Sequence, residues 1–201
     1  MSLKEYILER ENPVIFDKEG KFVFFPVNKV MQTTLVRNLL AKRCVVYKDN
    51  KEKWLELFDN TDFDNIYKFG IIRNPITKFE SAFNYLKAQP KLSKRMNIHN
   101  TNINDYVKNV VAHCKNPYIL NPHFEKQYEG LFFNNKQIVN DLFKVENKEH
   151  ICEMYSKLGI CENNNTHENK SEHFERLNDE SIAILRKIYE NDVNYLYVEN
   201  H

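Results

Sequence analysis

One local pattern constrains this chain more than any other: a short apolar run, a turn, and then an apolar stripe at helical spacing, and it occurs twice. Residues 22–27, FVFFPV, are apolar, aromatic and β-branched, and QTTLVRNLLAK at 32–42 follows with Leu35, Val36, Leu39 and Leu40 on one helical face. Residues 67–73, YKFGIIR, repeat the strand signal and pass through Asn74-Pro75 into a stretch whose stripe is Ile76, Phe79, Phe83 and Leu86. Proline at the first helical position is favourable because its missing N–H would be unpaired there in any case. Further on, 103–114 reads as a helix, 137–147 as a strand with a polar end, and KEHICEMYSKLG as a helix closed by Gly159. The last helix, DESIAILRKIYENDV, starts at Asn178 or Asp179 as its cap. Strands alternating with helices predict an α/β sandwich on a mainly parallel sheet flanked by helices.

Composition narrows the classes. The 201 residues suit a single domain spanning 1–201, with 42% hydrophobic and 28% charged residues, as in a folded globular protein. Lys and Arg number 29 against 28 Asp and Glu, so a net charge of +1 removes the electrostatic case for a nucleic-acid partner. Any anion must be held locally. No apolar run reaches the roughly 20 residues of a membrane span. The charged start MSLKEYILEREN is unlike a secretory leader, which predicts a cytoplasmic chain. Cys44, Cys114, Cys152 and Cys161 form no C-x-x-C pair and read as reduced thiols.

Open α/β sheets bind ligands beyond the carboxyl ends of their strands, so chemistry is expected at the two turns. The first, FFPVNKVMQTT at 24–34, sets Lys29, Thr33 and Thr34 at a helix start. Backbone N–H groups and the helix dipole there favour a phosphate or sulfate, and Lys29 adds a full charge. A capped helix with a solvated lysine accounts for the same residues. The glycines that wrap a nucleoside triphosphate are missing. At the second turn Arg73 ends the strand, and Ser81 lies about 9 Å along the helix from Pro75 at roughly 1.5 Å per residue. A guanidinium and a hydroxyl on one side suit a phosphate, although an arginine paired with a carboxylate fits equally.

In this order and separation the two turns resemble the cofactor signature of the sulfotransferases, especially the membrane-type carbohydrate branch. Lys29, Thr33 and Thr34 match that family's 5′-phosphosulfate loop. RNPITKFESAF at 73–83 is similar to its R-[DN]-P-x-x-R-x-x-S-A-[YF] pattern for the 3′-phosphate, with Arg73 and Ser81 in the binding positions and Lys78 in place of arginine. NPHFEKQ at 121–127 resembles a His-Trp-x-Pro-Gln segment, and KVEN at 144–147 a strand ending in Glu-Asn. ENKS at 168–171, with Lys170, resembles an Asn-x-Ser stretch beside the nucleotide. Departures are Asn28 where proline is usual, Phe124 for tryptophan and Lys126 for proline.

The resemblance implies a three-layer P-loop-like sandwich and transfer of a sulfuryl group from 3′-phosphoadenosine 5′-phosphosulfate to an acceptor hydroxyl of a glycan, with no metal. Lys29 then meets the charge that develops on the leaving phosphate. His123 is the candidate general base, since an unperturbed imidazole titrates near neutrality. Glu125 is the reserve base, and a structural loop histidine is the plain alternative for His123. The His167, Glu168, Glu172 and His173 group lacks the spacing of a zinc helix and reads as solvated loop. Lys87, Lys91, Lys94 and Arg95 read as solvated surface. Rival readings are a nucleotide-dependent kinase, which needs a glycine-rich loop and an acidic metal ligand, and a non-catalytic domain on the same scaffold.

Overall fold

The structure is a computed structural model that describes residues 1–10, 12–30, 43–159 and 174–197. These cluster into two compact units, residues 1–72 with 129–166 and residues 73–128 with 167–201.

The first unit carries the sheet. Its strands are β1 (Ile15–Asp17), β2 (Phe22–Phe25), β3 (Cys44–Val45), β4 (Tyr67–Ile72), β5 (Phe132–Phe133), β6 (Lys136–Gln137) and β7 (Asp141–Lys144). Five of them form one sheet in the order β3-β1-β2-β4-β7, and β5 and β6 pair as a hairpin. β2, β4 and β7 run parallel, with Phe25 opposite Gly70 and Ile71 opposite Phe143. β1 is antiparallel to both β2 and β3. The sheet is therefore mixed rather than mainly parallel. The connection from Asp17 to Phe22 is too short for a crossover, and antiparallel strands are what a short turn can join.

Burial explains the strand sequences. Phe22, Val23, Phe24 and Phe25 are all buried, as a continuous apolar run in a central strand should be. Phe69 stacks on Phe24 at 5.0 Å. On β1, Phe16 meets Trp54 edge-on at 5.4 Å, and Trp54 lies on the Lys51–Asn60 helix with its indole N–H donating to the Val14 carbonyl at 2.7 Å. Asp17 is wholly buried at the strand end, where it accepts from Arg43 Nε at 2.8 Å and from the Lys21 N–H at 3.0 Å. Gly70 sits in the middle of β4 close against its neighbour: a Cβ there would lie 2.7 Å from Leu131 Cδ2, which would have to shift. The 137–147 strand is shorter than its sequence suggests. Asn134 and Asn135 have φ of 50° and 61° and close the β5–β6 hairpin, which takes Gln137 out of the sheet.

The second unit is helical. The Pro75–Lys87 helix packs Phe79, Phe83 and Leu86 into a core with Ile103, Tyr106 and Val107 of the Ile103–Asn109 helix, and with Phe124, Leu185 and Tyr189. The expected 103–114 helix ends at Asn109 and continues as a single 3-10 turn, Val111–His113. The last helix runs Asp179–Ile188 with Asn178 as its cap, and a π-helical turn, Asp192–Leu196, follows. Among the described residues no helix is long and apolar enough to cross a membrane.

Candidate active site

The first turn leaves β2 at Phe25. Its opening residue is braced, since Arg10 donates from Nη2 to the Pro26 carbonyl at 3.2 Å and from Nη1 to the Gly130 carbonyl, with the guanidinium over the Phe25 ring at 5.3 Å. Lys29 is half-buried and has φ of 62°. A left-handed backbone at a lysine costs about 1–2 kcal/mol relative to the ordinary helical region, and strain of this kind gathers at functional loops. Thr33 and Thr34 lie outside the described residues, as does the helix expected over 32–42.

β2 and β4 are neighbours and parallel, so Phe25 and Ile72 end at the same edge of the sheet. A cavity of about 400 Å³ lies along β3, lined by Lys18, Cys44, Asp49, Asn50 and Lys53. Burial and Asp17 push the Cys44 thiol up to about 12, so that thiol is no nucleophile at neutral pH.

The second turn is built by its own sequence. Asn74 caps the Pro75–Lys87 helix, accepting from the Ile76 N–H at 2.9 Å and from the Thr77 N–H at 3.4 Å. Those amides are already engaged, so what this turn can offer an anion is the Arg73 side chain and not the helix N-terminus. Arg73 is half-buried, with Nε 3.3 Å from Thr77 Oγ1. Ser81 is half-buried farther along the same helix. Lys170 lies outside the described residues, as do Cys161, His167, Glu168, Glu172 and His173.

His123 and Glu125 belong to a segment whose backbone bonds come from buried side chains. Lys78 is 1% exposed, and its ammonium donates to the carbonyls of His123 at 3.2 Å and Glu125 at 2.7 Å. Tyr189 donates to the Phe124 carbonyl at 2.7 Å. The Asp192 carboxylate accepts from the N–H groups of Gln127 at 3.0 Å and Tyr128 at 2.8 Å. Irregular backbone in a protein interior needs such partners, because an unpaired polar group there costs as much as a lost hydrogen bond. Burial pushes the Lys78 amine below its ordinary value, against the pull of Glu125 and Asp192, and pushes the Asp192 carboxyl up.

The His123 ring has a defined protonation pattern. Asn121 Oδ1 lies 3.0 Å from the His123 N–H and 2.8 Å from its ring Nδ1. A backbone N–H only donates, so the Asn121 atom is the carbonyl oxygen and the ring nitrogen facing it carries the proton in the neutral imidazole. Nε2 is then the basic nitrogen. Tyr85, 39% exposed, stacks on the ring at 5.3 Å and 21°. His99 and His113 are exposed and Lys91, Lys94 and Arg95 are on the surface, whereas Lys87 is committed to Glu175 and the Thr101 carbonyl. Asn147 of KVEN caps the Lys148–Lys157 helix.

Nothing in the linear sequence singles out Arg10, Asn121 or Asp192, or gives Lys78 or Gln127 a task. Their signal is long-range pairing, which a linear pattern does not carry. Among the described residues no group of three or more His, Cys, Asp or Glu side chains could hold a metal ion.

A family model described as the sulfotransferase family matches residues 12–197. The chain belongs to that family, and membership supports a transferase acting in sulfuryl transfer. No curated protein and no solved structure matches the chain.

Proposed function

We propose that residues 1–201 form one sulfotransferase domain, three-layered and P-loop-like, which moves the sulfuryl group of 3′-phosphoadenosine 5′-phosphosulfate to a hydroxyl of a carbohydrate acceptor. The observation that carries this reading is the parallel pairing of β2 with β4, which lets the chain leave one edge of the sheet twice, once into the Lys29 turn and once into Arg73. Each turn offers a cation just beyond the carboxyl end of a strand, where open α/β sheets bind anionic ligands.

The bound donor supplies the sulfuryl group and a phosphate leaving group, so that one sulfur–oxygen bond breaks as another forms and the acceptor releases one proton. Lys29 stabilises charge on the departing phosphate, which is where preorganised electrostatics accelerate most. Thr33 and Thr34 hold the 5′-phosphate, Arg73 and Ser81 the 3′-phosphate, and Lys170 lies beside the nucleotide. His123 takes the acceptor proton on Nε2, and the Asn121 carbonyl steadies the imidazolium that results. Glu125 is the reserve base.

The test is to incubate the protein with the sulfate donor and a glycan panel and to search the products by mass spectrometry for the sulfate increment. A sulfated glycan supports the reading. Bisphosphate binding without any sulfated product would leave a cofactor-binding domain in place of an enzyme.

A further inference from the structure

Arg73 is the first residue beyond β4, at a point where the ladder has run out. The last bond from β7 is the Val145 N–H to the Ile72 carbonyl at 2.9 Å. The peptide groups of Arg73 therefore need other partners, and one side chain provides both. The Arg73 N–H donates to Gln127 Oε1 at 2.8 Å, and Gln127 Nε2 donates to the Arg73 carbonyl at 2.6 Å. A carboxamide is a peptide group carried on a side chain, so Gln127 replaces the missing neighbouring strand for this one residue.

The amide is itself held. Gln127 and Asp192 are both fully buried, and Asp192 Oδ2 accepts from the Gln127 N–H at 3.0 Å and lies 3.4 Å from Nε2. The Arg73 N–H can only donate, so Oε1 must face it and the NH₂ must face the Arg73 carbonyl and Asp192. No flipped alternative satisfies all four groups. Bonding the N–H and the C=O of one residue fixes both of its backbone torsions, and these set the direction in which its Cα–Cβ bond leaves the chain.

We propose that Gln127, oriented by Asp192, is a positioning residue that aims the Arg73 guanidinium at the 3′-phosphate of the nucleotide. The proposal rests on the nucleotide reading above. It differs from a purely structural role in what it controls, namely discrimination between a nucleotide with a 3′-phosphate and one without. A misaimed arginine still leaves a folded protein that binds the adenosine and the 5′-phosphate.

The experiment is calorimetry of the full chain with adenosine 3′,5′-bisphosphate and with adenosine 5′-phosphate, the ratio of the two affinities being independent of the fraction of protein that is folded. Wild type should prefer the bisphosphate. Gln127→Met keeps the shape and removes both hydrogen bonds, and should lower that preference at least about tenfold, the worth of a displaced charged hydrogen bond. The double variant with Arg73→Ala should show no loss beyond Arg73→Ala alone, since the two act as one unit. Gln127→Asn, which keeps the amide but shortens its reach, is read in the same way should the methionine variant not fold. An unchanged ratio in the folded variant, with wild type selective, overturns the role of Gln127 and leaves the nucleotide reading intact. No bisphosphate preference in wild type removes both.

Discussion

Asn121 receives both the backbone N–H and the ring Nδ1–H of His123, at 3.0 and 2.8 Å, through a single carbonyl oxygen. The imidazole is thereby fixed in rotation and in tautomer, with Nε2 as its acceptor. His123→Ala should lower transfer by about 10²–10⁴-fold, the range for a general base, while bisphosphate affinity changes little. Wild-type transfer should fall in acid as the ring protonates. Glu125→Gln is the parallel variant and should be milder. Full activity in the histidine variant with loss in the glutamine variant would exchange their roles.

Lys29 combines a left-handed backbone with a charge at the first turn. Lys29→Gly should raise thermal stability by about 1 kcal/mol, because glycine accepts that conformation without the penalty. The same change should depress turnover more than bisphosphate affinity, as expected for an interaction that strengthens in the transition state. Paired melting and kinetic measurements check both signs. Turnover preserved within a few-fold would show that the turn is misassigned.

Arg73 and Ser81 should contribute unequally to the nucleotide. Arg73→Ala should weaken bisphosphate binding by about 1.5–3 kcal/mol, as for a hydrogen bond to a charged group, and Ser81→Ala by less, as for a neutral donor. Titration calorimetry orders them. A larger loss at Ser81 would contradict the assignment.

Asp192 carries a pH signature. Its carboxyl is pushed up because burial outweighs the hydrogen bonds from Gln127 and Tyr128 and the pull of Lys78. The folded chain therefore holds a proton that the unfolded chain releases near its ordinary value of about 3.9. Between that value and the raised folded one, the stability contributed by this group falls as pH rises, and below the window the contribution is complete. Urea titrations across the window should show this slope, and Asp192→Asn should flatten it. An unchanged slope would mean that another group titrates there.

The elements that were legible are those whose signal is local. β2 announces itself as an unbroken apolar run and β4 as an apolar run broken only at Lys68, and the Pro75–Lys87 helix carries its stripe, its proline and its asparagine cap within one short stretch. Gly159 closes its helix at φ of 64°, as its position suggests. β1 and β3 hold only three and two residues, and nothing local distinguishes them from loop. The Asn134-Asn135 turn was within reach, since paired asparagines favour the positive φ values of a tight hairpin. For the candidate site, spacing and resemblance point to Lys29, Arg73, Ser81 and His123, but not to what holds them. Gln127 meets Arg73 across 54 positions and Asp192 across 65, and such pairs are recognised only when the backbone brings them together.

The contact between Gly70 and Leu131 ties the two positions together. A Cβ at residue 70 would collide with Leu131 Cδ2 at 2.7 Å and press Leu142 Cδ2 at 3.2 Å, so alanine in β4 requires the Leu131 side chain to shift or to become smaller. Shrinking Leu131 first opens a void worth about 2–5 kcal/mol, which the later methyl group refills in part. Each change alone costs stability, and the two together offset one another in part. A mutational scan that varies one residue at a time would therefore score alanine at position 70 as costly, while a library that varies both would recover it.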